Sequence, residues 1–172
     1  MEDRKKSVRF EQEILPHLDA AHNLARWLTG NDADAADVVQ EASLRALSFF
    51  DGFRGGDARA WLLRIVRNTC YTWLRQNRVD KMTSFDEAVH DVAGSAEDPE
   101  RRTLARADRR MLQQAIEELP MEFREALVLR EIEDLSYKDI AHVSGVPIGT
   151  VMSRLARARK LLRDRLSGEV IP

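Results

Sequence analysis

Residues 135–155 read LSYKDIAHVSGVPIGTVMSRL, and the fold is decided here. Ser136 is placed to cap a short helix carrying Ile140, Ala141 and Val143, which Gly145 stops. Val146 and Pro147 turn the chain, and Pro147 suits the start of the next helix because an N–H is not needed there. A small residue where two helices cross, a glycine at the turn and Val151 plugging the core are what a helix-turn-helix requires. On the second helix, Ile148, Val151, Leu155, Ala158 and Leu162 form an inward stripe. Thr150, Ser153, Arg157 and Lys160 lie on the opposite side, with Arg154 and Arg159 at the flanks. Thr150 and Ser153 are near enough to the helix start to reach base edges or phosphates, while Arg157 and Lys160 sit where backbone contacts are expected. A plain helical hairpin would share the periodicity but would not require this segregation of charge.

The same helical period runs outward in both directions, and no run alternates polar with apolar residues as a half-buried strand would. The expected fold class is therefore all-α. Leu15, Leu18, Ala21, His22, Ala25 and Leu28 predict a first helix ending at Gly30-Asn31. Asp32 or Asp34 can cap a second, carrying Val38, Val39, Ala42, Leu44, Ala46 and Leu47 and closing near Phe50-Asp51-Gly52. A third is expected from about Ala58 to Gln76. From Val79 to Thr103 the pattern gives way to Thr, Ser, Asp, Glu, Gly and Pro, the composition of a flexible linker. Periodicity returns at Leu104, Met111, Leu112, Ala115 and Ile116. Two small helical domains follow, 1–78 and 104–172, joined by the linker 79–103.

Across 172 residues, 27 basic and 29 acidic side chains leave a net charge of −2, which taken alone argues against a nucleic-acid binder. The charge is not evenly spread. Residues 135–166 hold 7 basic and 2 acidic side chains, while 79–103 hold 3 and 7. Neutrality is thus a cancellation between segments. The third helix has no acid between Asp57 and Asp80, and at about 100° per residue Arg64, Arg67, Asn68, Tyr71 and Arg75 share one face, which takes in Arg78 where the helix continues that far. Such a face can be merely solvated. With Tyr and Asn interleaved it can also hold phosphates, stack on an unpaired base and read a base edge. Ile65, Thr69, Leu62, Trp73, Val66 and Cys70 form its core side.

Little else carries chemistry. No apolar stretch approaches the roughly 20 residues of a membrane span, and the charged start MEDRKKSVRF is unlike a signal peptide, so a cytoplasmic location is expected. Cys70 is the lone cysteine and fits a small core residue. His17, His22, His90 and His142 are scattered, no phosphate loop or HExxH occurs, and neither a metal, a cofactor nor an enzymatic activity is expected. Asp37 and Glu41, with Asp34, make an acidic side on the second helix that suits solvent or a protein partner.

Three stretches together resemble a known family: DVVQEASLRAL at 37–47, FRGGDARAWL at 53–62 continuing through Asn68-Thr69, and the run from Leu119-Pro120 to Arg159. They are similar to the extracytoplasmic-function (ECF) sigma factors of bacterial RNA polymerase, over about Phe10 to Leu166. The resemblance implies a sigma-two domain, the linker and a sigma-four domain. It implies that Asp37, Gln40, Glu41 and Arg45 dock on the beta-prime clamp helices of core polymerase. It further implies that Phe53–Arg78 melts and reads the minus-ten promoter element, with Asn68 and the loop before Trp61 capturing a base. The helix-turn-helix would read the minus-thirty-five element, and an apolar surface around Leu127, Leu129 and Ile132 would hold the beta flap tip. The linker would thread toward the active-centre channel, and an anti-sigma factor would mask the polymerase-binding faces. The competing reading is a free-standing helix-turn-helix regulator with an N-terminal dimerisation or ligand module.

Overall fold

The structure is a computed structural model that describes residues 1–77 and 99–168. Eight α-helices account for its architecture, and the described residues contain no strand. They are α1 (Glu2–Glu13), α2 (Leu18–Thr29), α3 (Asp32–Phe49), α4 (Ala58–Gln76), α5 (Pro99–Glu117), α6 (Met121–Leu127), α7 (Tyr137–Ser144) and α8 (Ile148–Leu166). Most of the expected linker, with His90 and Arg78, lies outside the described residues.

Local chemistry sets the helix boundaries. Gly30 ends α2 with a left-handed φ of 93°, and its N–H donates to the Arg26 carbonyl. The cap of α3 is Asn31, not Asp32 or Asp34 as expected: its Oδ1 accepts the Asp34 N–H at 2.8 Å. Only the residue one step outside the helix has the extended backbone that lets a side chain turn back onto the first turn. Asp57 does the same for α4, accepting the Ala60 N–H at 3.1 Å. Two other boundaries differ from the periodicity. Pro16 confines Leu15–His17 to a single tight turn before α2, and α5 begins at Pro99, since proline is well tolerated at a helix start. After α6 the helix unwinds into one wide π-type turn over Val128–Ile132.

Helices α2, α3 and α4 pack together over Leu24, Leu28, Val38, Ala42, Leu62, Leu63 and Val66. An aromatic group closes one end: Phe50 meets Phe10 edge-on at 5.4 Å and stacks on Phe53 at 5.8 Å, and Phe53 lies 5.0 Å from Trp61. This anchors the Phe53–Asp57 loop at its base while Arg54, Gly55, Gly56 and Asp57 stay exposed. In the second unit α6, α7 and α8 enclose Leu127, Val128, Leu129, Leu135, Ile140, Val143, Val151 and Leu155. The two units do not hold separate cores. Their buried side chains join into one apolar cluster, with α4 lying against α7 and α2 against α6.

Candidate nucleic-acid interface

The helix-turn-helix forms as its sequence requires. Ser136 Oγ accepts the Asp139 N–H at 3.1 Å, and Gly145 takes a left-handed φ of 68° at the turn. The turn is fastened when Val146 N–H donates to the Ala141 carbonyl at 3.1 Å. Val151, Leu155 and Ala158 are buried against α6 and α7. Ile148, expected in this stripe, is instead exposed. It occupies the first position of α8, where the helix has only just left the turn and its side chain clears the core. Ser153, Arg157 and Lys160 are exposed, with Thr150 and Arg154 half-buried, so the expected reading face of α8 is open to a ligand. Ser153 donates to the Thr150 carbonyl at 3.0 Å, and Arg159 is drawn off this face by Glu131 at 2.9 Å. That hydrogen bond, with another that Arg159 donates to Tyr137, raises the Arg159 pKa.

The second basic face, on α4, is treated differently. Asn68 and Arg75 are exposed, but Arg67 and Tyr71 are not. Arg67 Nε donates to Glu125 Oε1 at 2.7 Å, and Tyr71 OH donates to Glu125 Oε2 at 2.7 Å. The Glu125 side chain is fully buried, and Ser144 Oγ donates to it at 3.2 Å. The Arg67 guanidinium also lies 3.8 Å from the centre of the Tyr71 ring, within cation–π range. Arg64 Nη1 meets the His142 carbonyl and Nδ1, both at 3.3 Å. The electrostatics follow from burial. Desolvation opposes the charge on Arg67, but the Glu125 carboxylate and the Tyr71 phenol more than offset it, and its pKa is raised. Desolvation and then the same carboxylate push the Tyr71 pKa up. Thus the face without a local counter-charge receives one from α6, 58 residues away.

On α3, Asp37, Gln40 and Glu41 are exposed and Arg45 is half-buried, its Nη2 bonded to Glu41 Oε1 at 2.7 Å. Leu44 and Leu47, expected in the core, share this outward face. The interior takes Ala35, Val38, Ala42 and Ala46 instead, because small residues let α3 approach α2 and α4 closely. Conversely Leu127 and Leu129, expected on a partner-binding surface, are buried, and of that trio only Ile132 is exposed. A hydrophobic run cannot tell by periodicity alone which side has a partner outside the chain.

The comparisons with known proteins follow this geometry. The model for Sigma-70 region 2 matches residues 14–79, and that for Sigma-70, region 4 matches residues 109–162. The chain is 38% identical over 167 residues to the ECF RNA polymerase sigma-E factor of Escherichia coli K12, covering 92% of this chain and 83% of that protein. It belongs to the ECF RNA polymerase sigma factors. This sigma factor is also 36% identical over 168 residues to ECF RNA polymerase sigma factor SigE of Mycolicibacterium smegmatis, spanning 96% of itself and 64% of that longer relative. In solved structures it is similar to the sigma factor RpoE from Bartonella quintana, determined in complex with the anti-sigma factor NepR. That likeness has a TM-score of 0.75 at 30% identity, covering 92% of this chain and 97% of RpoE. Helices α2–α4 of this sigma factor fall in the region 2 match, and α6, α7 and α8 as far as residue 162 in the region 4 match, so the contacts of Glu125 with Arg67 and Tyr71 run between the two regions. The described residues contain no helix long and apolar enough to cross a membrane and no group of side chains suited to a metal ion.

Proposed function

We infer that this sigma factor is a promoter-specificity subunit that acts in the cytoplasm when bound to core RNA polymerase, and that it is not itself an enzyme. Residues 1–78 serve as the polymerase-binding and minus-ten unit, 79–103 as the linker, and 104–172 as the minus-thirty-five unit. The observation that carries this reading is the open polar face of α8, within the region 4 match, presenting Thr150, Ser153, Arg154, Arg157 and Lys160 from a helix-turn-helix. Ser and Thr reach either base edges or phosphates, and Arg recognises guanine or phosphate. On α4, Arg64, Arg67, Asn68, Tyr71 and Arg75, continued by Arg78, take the single-stranded minus-ten element by phosphate pairing and base stacking. Asp37, Gln40, Glu41 and Arg45, with Leu44 and Leu47 among them, form the surface for the beta-prime clamp helices, and Ile132 contributes to the flap-tip contact. Control by an anti-sigma factor is supported by the RpoE–NepR complex.

Run-off transcription with core polymerase across a genomic promoter library tests this. Transcripts that require the added protein are expected. Sequence-specific binding by the free chain, with no dependent transcript, would replace this reading with a free-standing regulator.

A further inference from the structure

We propose that Glu125 is an intrachain stand-in for promoter phosphate, so that the face of α4 serves two mutually exclusive partners: single-stranded DNA and the chain's own region 4. Three observations converge on this carboxylate. It is fully buried, it accepts hydrogen bonds from Arg67, Tyr71 and Ser144, and the first two belong to the face that takes the minus-ten strand in the function proposed above, on which this inference rests. A carboxylate on guanidinium reproduces the charge-assisted pairing that a phosphate makes. The phenol that would stack on a base has its hydroxyl tied to the same group, and its ring is covered by Arg67.

The competition is geometric. Arg67 and Tyr71 reach Glu125 only because α4 is seated on α7 and α2 on α6, and the seat is held elsewhere too. Asn23 Nδ2 donates to Glu133 Oε1 at 2.7 Å, and Arg124 Nη1 donates to the Trp27 carbonyl at 2.9 Å. A strand cannot stack on Tyr71 while that seat is occupied. The α8 face remains open in the same arrangement. The free chain therefore exposes its duplex-reading helix and withholds Arg67 and Tyr71 of its strand-reading helix. A partner that separates the two units uncovers α4 as it binds. Apparent affinity for a strand falls with the fraction of molecules that are open.

The test uses the full chain without polymerase. Dyes on K5C and S167C, both exposed positions, report separation of the units by energy transfer, while a labelled 20-mer of deoxythymidine reports access to α4. E125Q is expected to lower energy transfer and to raise affinity for the oligonucleotide about tenfold, as a competent fraction near one in ten becomes nearly complete. Adding R67A to E125Q should remove much of that gain. E133Q, which loosens the seat away from the α4 face, should move both signals in the same direction and decides the matter if E125Q fails to fold by circular dichroism. Unchanged energy transfer in the folded variants, or separation without gain in affinity, overturns the proposal. Run-off transcription with wild-type protein separately scores the proposed function.

Discussion

Arg67 on α4 and Glu125 on α6 lie 2.7 Å apart, the arginine partly covered and the carboxylate fully buried, so one ion pair ties region 2 to region 4. Removing one partner of such a pair costs more than removing both, because the survivor keeps its desolvation penalty without its compensation. Either R67A or E125A is expected to lower the unfolding free energy by about 1–3 kcal/mol. The double variant should lose less than the sum, as read from urea denaturation of all four proteins.

Gly149 sits in the first turn of α8 with an ordinary φ, and a Cβ placed there would meet nothing within 4 Å. No contact inside the protein calls for glycine, and alanine is the better helix former. G149A is therefore expected to stabilise the chain, by up to about 1 kcal/mol, while weakening binding to minus-thirty-five duplex DNA if the duplex seats against this turn. Thermal unfolding and a duplex-binding titration should move in opposite directions.

Cys70 is buried, and desolvation, reinforced by the Glu125 carboxylate, pushes its thiol up to about 12 from an ordinary 9.0. The folded state thus holds this proton over a pH range in which the unfolded chain releases it. The contribution to stability is complete below pH 9 and is lost as pH rises toward 12, the Tyr71 phenol acting in the same sense above its ordinary 10.0. Iodoacetamide should leave Cys70 unmodified at pH 8 unless urea is added, and denaturation midpoints should fall from pH 9 upward.

Charge reversal at Asp37 or Glu41 is expected to reduce binding to core polymerase with helix content unchanged, since both are exposed. The structure adds Leu44, which is 62% exposed within the same face. L44D should also reduce core binding without loss of thermal stability. A fall in thermal stability would return Leu44 to the core.

Asn68 and Arg157 are both exposed, on different helices of different regions. N68A should impair opening at the minus-ten element, followed by permanganate footprinting on polymerase. R157A should weaken minus-thirty-five binding, by about 1–3 kcal/mol if it reads a base, and by a similar amount for every sequence if it touches phosphate alone. Equal effects of both substitutions on both elements would count against two separate reading sites.

Much of this was legible along the chain. Ser136, Gly145 and Val151 specify the helix-turn-helix because capping, a left-handed turn and a core plug are local requirements, met within about 20 residues. The same holds for the segregation of Ser153, Arg157 and Lys160 from Val151, Leu155 and Ala158, which follows from helical period alone. Periodicity misread several apolar side chains that the fold leaves outside its core. Leu44, Leu47 and Ile148 looked like core and are exposed, while Leu127 and Leu129, which the family resemblance placed on a partner surface, are buried. An apolar side chain carries no mark of whether it is covered by its own chain or by another.

The sequence by itself determined the principal helices, the Gly30, Ser136 and Gly145 signals at their ends and the two basic faces, since each depends on neighbours a few residues apart. Only the tertiary structure decided that one of those faces is engaged within the chain, at Arg67 and Tyr71. Nothing in residues 58–78 announces a counter-ion, and nothing around Glu125 announces an arginine. The pairing exists because α4 seats on α7 and α2 on α6 to complete a shared apolar core, which carries a carboxylate 58 positions distant into hydrogen-bonding range of Arg67. Burial then makes that encounter consequential, because a charge withdrawn from water must find its opposite.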